Sequence, residues 1–358
     1  MKRALLIASV SSLLFFALIA LYGCGTNPSS GGGGGTTAYV PRILFIHGIA
    51  DWGSAEGISA APTGTDWQTI VQDRGSSVNL YTLSLSPDGG KALLLTYISS
   101  YMTLEVMNAD GSGKSTVATG PNVYCIAWAN DSQRIAFVSD LSGTATLYTK
   151  VLGSVSPVQI SEVGNAQPSF SKSATYIAYV RGNDIWYRNA DGSGSEMPVT
   201  STTSNEFSPC FSPSDESALL FCRTEGSNRY VFEVNITNTF EVTKLNPAAP
   251  FTNIFAVPSN GILWPATDPS YVYLSARMSG DSYYRLYRVP VAGGTPEALT
   301  VDAYHAVDFR VFRDTSGIFY VRDTGGSPDL YNMGYDGSAQ TRITSNETPD
   351  YFSAYWYP

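Results

Sequence analysis

Histidine is almost absent from the 358-residue sequence: His47 and His305 are the only two. A metal centre rich in imidazoles is therefore excluded, and a histidine general base would have to be one of this pair. No Gly-x-Ser-x-Gly nucleophile elbow occurs anywhere. The segment Phe45-Ile46-His47-Gly48 has the His-Gly pattern that precedes an oxyanion hole in α/β-hydrolases, but it has no nucleophile to serve. Charge is also sparse. Only 14% of residues are charged, and 21 lysines and arginines face 30 acids, for a net charge of −9. That balance argues against nucleic-acid binding and obliges any polyanionic partner to find a local positive patch. The phosphate-loop likeness of Asp110-Gly111-Ser112-Gly113-Lys114-Ser115 fails because position 108 is Asn where the motif needs Gly, so a hairpin turn is the better reading.

Cysteine is scarce too, at four residues. Cys24 follows Lys2-Arg3, the long apolar run Ala4–Leu21 and then Tyr22-Gly23. This is the layout of a secretory signal (residues 1–23) ending in a lipobox, with Cys24 as the lipidated first residue of the exported chain; an ordinary signal peptide or an uncleaved anchor is the alternative. Residues 24–39 then form a Gly/Ser-rich tether with five consecutive glycines. Cleavage removes two bases and no acid, leaving 19 bases against 30 acids. Gly25 carries no inner-membrane retention signal. The expectation is a lipoprotein of the bacterial cell envelope, on the periplasmic side of the outer membrane or at the cell surface. An export compartment permits disulfides. Cys210 and Cys222 sit nearly opposite across a short turn and either pair or remain buried thiols, with Cys125 single.

What the sequence has in abundance is repetition. In Pro168–Ser201 a short strand, a polar turn, an apolar strand Ile177–Val180, a third strand Ile185–Asn189, the turn Ala190-Asp191-Gly192-Ser193 and a fourth strand Met197–Ser201 follow one another. The same unit recurs with equivalent first-strand positions at Ser86, Ala129, Ser171, Ser212, Pro265, Phe312 and Tyr357, spaced by 43, 42, 41, 53, 47 and 45 residues. Four strands at a period of 40 to 50 residues predict a β-propeller occupying residues 40–358. Asp-Gly at 110–111, 191–192 and 336–337 supplies the tight turn between third and fourth strands. The chain starts with the second strand of a blade and ends with the first strand of one, Asp350–Tyr357. Pairing the two ends closes a seven-bladed ring and removes an exposed edge; six blades is the alternative if the irregular stretch Phe251–Ala276 is not a full unit.

Leu85-Ser86-Pro87-Asp88-Gly89-Gly90-Lys91-Ala92-Leu93, Phe211-Ser212-Pro213-Ser214-Asp215 and Asn108-Ala109-Asp110-Gly111-Ser112 resemble the WD40-like (PD40) repeats of TolB-type propellers, over roughly Val40 to Pro358. The resemblance implies the fold. It implies little about function, because such repeats also accompany peptidase domains and occur in polysaccharide lyases. The chain differs from the periplasmic TolB protein in lacking the additional N-terminal α/β domain and in counting seven blades. The seven-bladed lyases hold a metal through several histidines. Here His47 and His305 with Asp302 or Asp350 would be the whole ligand set, and two unrelated surface histidines is the preferred reading. No metal or other cofactor is expected.

The residue that ends or follows the second strand is His47, Arg181, Arg223, Arg277 or Arg322 in five blades, and Tyr97 or Ser139 in the other two. By topology these ring one face. They either pair with loop acids such as Asp140, Glu206, Asp302, Asp323 or Asp350 and fasten the blades, which is the favoured reading, or form a cationic funnel for a carboxylate, phosphate or acidic sugar. Asn122, Asn165, Asn205, His305 and Asp350 lie in the fourth-to-first-strand loops of the same face, beside Tyr124, Tyr304 and Tyr351. The expectation is a monomeric, non-enzymatic scaffold that binds an envelope protein or polymer. The alternative is an acidic-carbohydrate binding protein or lyase-like enzyme using the Arg/His rim.

Overall fold

The structure, a computed structural model, describes residues 42–48, 55–61, 63–71, 78–98, 100–163, 166–237, 242–255, 261–311, 317–323, 328–345 and 350–351. The signal and tether with Cys24, the loop residue Asn165, and residues 352–358 of the closing strand lie outside that set.

Seven four-stranded antiparallel sheets are arranged as the blades of a propeller ring. Blade 1 is Val78–Leu85, Lys91–Ile98, Tyr101–Asn108 and Ser115–Gly120; blade 2 is Val123–Trp128, Arg134–Ser139, Thr146–Val151 and Val158–Glu162. Blade 3 is Ser169–Phe170, Tyr176–Arg181, Asp184–Asn189 and Met197–Pro198; blade 4 is Glu206–Phe211, Ala218–Glu225, Asn228–Asn235 and Val242–Lys244. Blade 5 is Asn253–Ile254, Tyr271–Arg277, Arg285–Pro290 and Glu297–Ala298; blade 6 is His305–Arg310, Gly317–Asp323, Asp329–Gly334 and Thr341–Arg342. Blade 7 joins Asp350–Tyr351 to Ile43–His47, Glu56–Ala60 and Gln68–Val71, with Ile46 opposite Tyr351 and His47 opposite Asp350. The expected ring closure is thus present, and the count is seven.

The second strands read as near-continuous apolar runs because both their faces are covered by neighbouring blades. Ala92–Leu95 and Ile135–Val138 are buried at every position. Third strands alternate, as in Tyr101–Asn108, and fourth strands face water. The core lies between blades. Phe211, Leu219 and Phe221 of blade 4 pack on Ala178, Val180 and Ile185 of blade 3, while Leu220 and Cys222 pack on Val272, Leu274 and Ala276 of blade 5.

Four blades carry a kink at one place in or just before the first strand. Cys125, Gln167, Ser208 and Asp308 are non-glycine residues with φ of 50°, 43°, 53° and 45°. At three of them a register shift marks a bulge in the ladder. The repeat spacings place these four residues, with Gly261, at one equivalent position. Their side chains link the blades: the Gln167 Oε1 accepts the Ser208 N–H at 2.7 Å, and the Ser208 hydroxyl accepts the Gly261 N–H at 2.9 Å. This hydrogen-bonded hoop runs through buried ground, where each donor needs a partner. The bulge also settles the cysteine question. It shifts the register so that Cys210 lies opposite Leu220 and Cys222 opposite Phe207, and Cys125, Cys210 and Cys222 are buried thiols outside any disulfide.

Candidate binding face

The loops between second and third strands and between fourth and first strands share one face of the ring. Four of the five basic residues read from the sequence hold one equivalent position on it. In blade 4 the Arg223 Nε donates to Glu206 Oε1 at 2.7 Å, and Glu206 is fully buried. The other Glu206 oxygen accepts the Thr200 hydroxyl, and Thr200 in turn caps the Ile185 N–H of blade 3 at 2.9 Å. Arg223 is therefore a fastener that reaches the preceding blade through a buried carboxylate. His47 and Asp350 repeat the device in blade 7, at 2.7 Å, with Asp350 fully buried. In blade 3, Arg181 pairs with Glu196, which was not among the acids anticipated, and its guanidinium lies 5.1 Å from the Trp186 ring centroid.

Arg277 and Arg322 differ. Neither forms an ion pair or side-chain hydrogen bond with any described residue, and the Nε of each is buried without an acceptor among them. Arg322 lies over Tyr304, 3.8 Å from the ring centroid, and Arg277 over Tyr284 at 4.6 Å. These contacts hold the guanidiniums by cation–π attraction, and among the described residues none accepts a hydrogen bond from either Nε.

The register corrects one expectation. Leu263 pairs with Tyr273, so Val272 is the counterpart of Leu219 and Ala276, not Arg277, is the counterpart of Arg223. Arg277 is one residue further along, and in a strand that flips the side chain to the other face. It shares that face with Tyr273, which packs in the blade 5–blade 6 core, and with Ser275, whose hydroxyl donates to Ala306 O at 2.7 Å. Arg322 shares its face with Tyr320 of the same core. Both arginines thus stand on strand faces turned towards the interface between blades 5 and 6.

Tyr283, Tyr284, Tyr304 and His305 lie at this interface. Tyr284 donates its backbone N–H to His305 Nδ1 at 3.2 Å, and Asn253 donates its side-chain N–H to the Tyr284 hydroxyl at 2.6 Å. His305 is an acceptor at Nδ1, which leaves a hydrogen on Nε2 when the ring is neutral. Burial pushes its pKa below the ordinary histidine value; Asp323 opposes this and Arg277 adds to it. Tyr283, Tyr284 and Asn253 were not singled out in the sequence, since nothing in a tyrosine pair marks it as a seat for an arginine one strand away.

The remaining loop residues serve local structure. Asn122 is exposed and donates to Asp140 Oδ2 at 2.6 Å, and Asn205 is exposed and accepts the Thr224 N–H through its backbone oxygen at 2.9 Å. Tyr97 packs edge-on to Tyr81, and Ser139 accepts the Leu141 N–H. His47 and His305 each have their own partners, Asp350 and the Tyr284 backbone. Among the described residues no group of three or more His, Cys, Asp or Glu side chains is placed to hold a metal ion.

No family model matches the sequence, and no curated protein matches it. Solved structures share its fold. A prolyl endopeptidase aligns with a TM-score of 0.63 at 14% identity over 88% of this chain and 49% of its own, so this chain spans about half the length of that enzyme. TolB from Acinetobacter baumannii aligns at 0.53 and 16% identity, over 87% of this chain and 82% of TolB. An oligogalacturonate lyase in complex with manganese aligns at 0.58 and 15% identity, over 82% of this chain and 85% of the lyase. At such identities the likeness concerns the fold alone. The chain is a seven-bladed β-propeller whose fold is shared by a peptidase, by TolB and by a lyase, and the fold chooses among none of their activities.

Proposed function

We propose that the protein is a non-enzymatic binding scaffold that meets an envelope protein on the loop face described above. The observation that carries this reading is the contrast within the rim. His47, Arg181 and Arg223 are tied to carboxylates and stiffen the framework, whereas Arg277 and Arg322 are held in place with no carboxylate partner among the described residues. Two cations that form no ion pair with a described residue, in a protein of net charge −9, are a local exception to its field, and binding partners are steered by such exceptions.

The proposal includes the address read from the N-terminus. Lys2-Arg3, the apolar run and Cys24 support lipid anchoring, and the glycine tether lets the ring stand off the membrane. Cys24→Ala should then move nearly all of the protein from the membrane fraction to the soluble exported fraction; an unchanged membrane fraction contradicts the anchor.

The working face is tested by photo-crosslinking in intact cells. A photoreactive residue at exposed Asn205 or Asp302 samples the loop face, and one at exposed Ser193 or Asp336 samples the opposite face. The reading predicts one recurrent crosslinked protein from the first pair and none from the second. Crosslinks from the opposite face alone, or from neither, contradict it.

A further inference from the structure

The loop-face end of the interface between blades 5 and 6 has a chemistry narrower than that of the face as a whole. Resting on the reading of that face as a protein-binding surface, we infer that Arg277 and Arg322 form a carboxylate-binding site for an acidic peptide segment of the partner, with His305 as a third donor.

Three observations converge on this assignment. The first is the register offset that turns Arg277 towards blade 6 while Arg322 points back towards blade 5, so arginines from two blades face one interface. At the equivalent position in blades 4 and 7 the cation meets a buried carboxylate of its own first strand, Glu206 or Asp350. In blade 6 the residue paired with Arg322 is Ala306, and in blade 5 the residue paired with Arg277 is Asn253. The first-strand carboxylate of the fastening blades is missing here; Asp329, across the ladder from Arg322, is ion-paired with Arg342, and a carboxylate from outside fits the arginine donors.

The second is the aromatic seating. Tyr304 and Tyr284 fix the guanidinium planes, and His305 packs edge-on to Tyr283 at 5.3 Å and tilted on Tyr284 at 5.8 Å. The donors are therefore oriented before any ligand arrives. Arginine held flat on a ring keeps its hydrogen-bonding edge for bidentate contact with a carboxylate.

The third is what this seating removes. A sugar ring is commonly gripped through the open face of an aromatic side chain, but here Tyr284 and Tyr304 each carry a guanidinium, Tyr284 also touches Phe255 at 5.1 Å, and Tyr283 meets His305 edge-on. What remains available is the edge of two guanidiniums and the His305 Nε2–H. That set suits an aspartate or glutamate side chain or a chain-terminal carboxylate better than a stacked uronate.

The test is a titration of the isolated full chain with a fluorescein-labelled hexaglutamate peptide, with hexaglutamine, inorganic phosphate and a galacturonate hexamer as comparison arms. Hexaglutamate is expected to bind with strong salt dependence and hexaglutamine not at all. Arg277→Gln/Arg322→Gln should weaken hexaglutamate binding by about ten-fold or more, because charge-assisted contacts are lost. Arg181→Gln, at an exposed and already paired arginine, should change it by less than about two-fold. If the double variant misfolds, Arg277→Lys/Arg322→Lys keeps the charge and loses the planar fork; it should fold and still bind more weakly than the parent.

Absence of hexaglutamate binding at millimolar peptide overturns the site, as does equal binding by parent and folded double variant. Tighter binding of phosphate or of the galacturonate hexamer overturns the acidic-peptide assignment. Crosslinking from Asn205 that persists in a double variant with unchanged partner yield sinks this site while leaving the loop-face reading intact; crosslinking only from Ser193 sinks that reading first.

Discussion

His47 Nδ1 lies 2.7 Å from Asp350 Oδ1, which joins two residues 303 positions apart and shuts the ring. The same arrangement closes no ring in blade 4, where Arg223 and Glu206 are 17 residues apart. Thr344 stands beside Asp350 as Thr200 stands beside Glu206, each capping a third-strand N–H of the preceding blade. One device, a buried carboxylate paired with a cation beside a threonine cap, therefore serves both an ordinary blade junction and the closure.

Removing the closure should be costly. Deletion of residues 350–358 takes away the first strand of blade 7 and the carboxylate that pairs with His47. Asp350→Ala alone should destabilise by about 3 kcal/mol, since it breaks a buried pair, and the deletion should exceed that. A denaturant melt of the truncated protein with the parent's midpoint contradicts the closure.

The closing pair should also make stability depend on pH in a stated direction. The bond to Asp350 raises His47 above its ordinary value of 6.5, against the opposing effect of burial. Burial raises Asp350 above its ordinary value of 3.8, with His47 and Thr344 pulling the other way. A raised folded-state pKa means stability that is full below the unfolded value and lost as pH climbs through the folded one, so both groups act with the same sign. For His47 the loss falls from near neutrality upward. The melting-temperature gap between parent and His47→Gln should be larger at about pH 6 than at about pH 8.5. A gap that widens with pH contradicts the pairing.

The blade count was legible because turn chemistry repeats. Asp-Gly marks the same hairpin in blades 1, 3 and 6, and Gly111, Gly192 and Gly337 adopt φ of 86°, 79° and 81°. The closure was legible because the two ends are complementary fragments of one unit. The functional face was only half legible. Arg223 and Glu206 could be paired on paper because each sits at a strand end of one blade. Arg181 could not be assigned to Glu196, which precedes a fourth strand across the blade. The offset of Arg277 was hidden because its blade pairs both at Asn253–Ile254 and at Leu263, and one residue of register decides which neighbour a side chain meets. The inner hoop left no sequence trace, since Cys125, Gln167, Ser208 and Asp308 share a backbone shape and no side-chain type.

Two of those turn glycines carry a further expectation. A Cβ on Gly111 would stand 2.3 Å from Ile70 O of blade 7, and one on Gly337 would stand 2.9 Å from Leu299 O beside blade 5. Gly111→Ala combines a positive φ with a backbone collision between blades, so it should destabilise by more than about 1 kcal/mol. Gly143→Ala also has positive φ but meets nothing within 4 Å, and should cost less. Equal melting temperatures for the two variants contradict the close approach.

The hoop predicts a polar requirement in an apolar setting. Gln167→Met keeps the length of the side chain and removes the acceptor for the buried Ser208 N–H. It should cost about 1–3 kcal/mol, the range for leaving a buried donor unsatisfied. A melt indistinguishable from the parent's contradicts the hoop as a structural link.

The division of the rim into fastening and available cations is tested most directly by one set of parallel thermal melts. Arg223→Met leaves Glu206 buried without its cation and should lower stability by about 3–5 kcal/mol. Arg277→Met and Arg322→Met break no ion pair, give up cation–π contacts of about 1 kcal/mol each, and should melt close to the parent. A loss for Arg322→Met as large as that for Arg223→Met would show that Arg322 fastens the ring, and the account of an open cationic pair would fail.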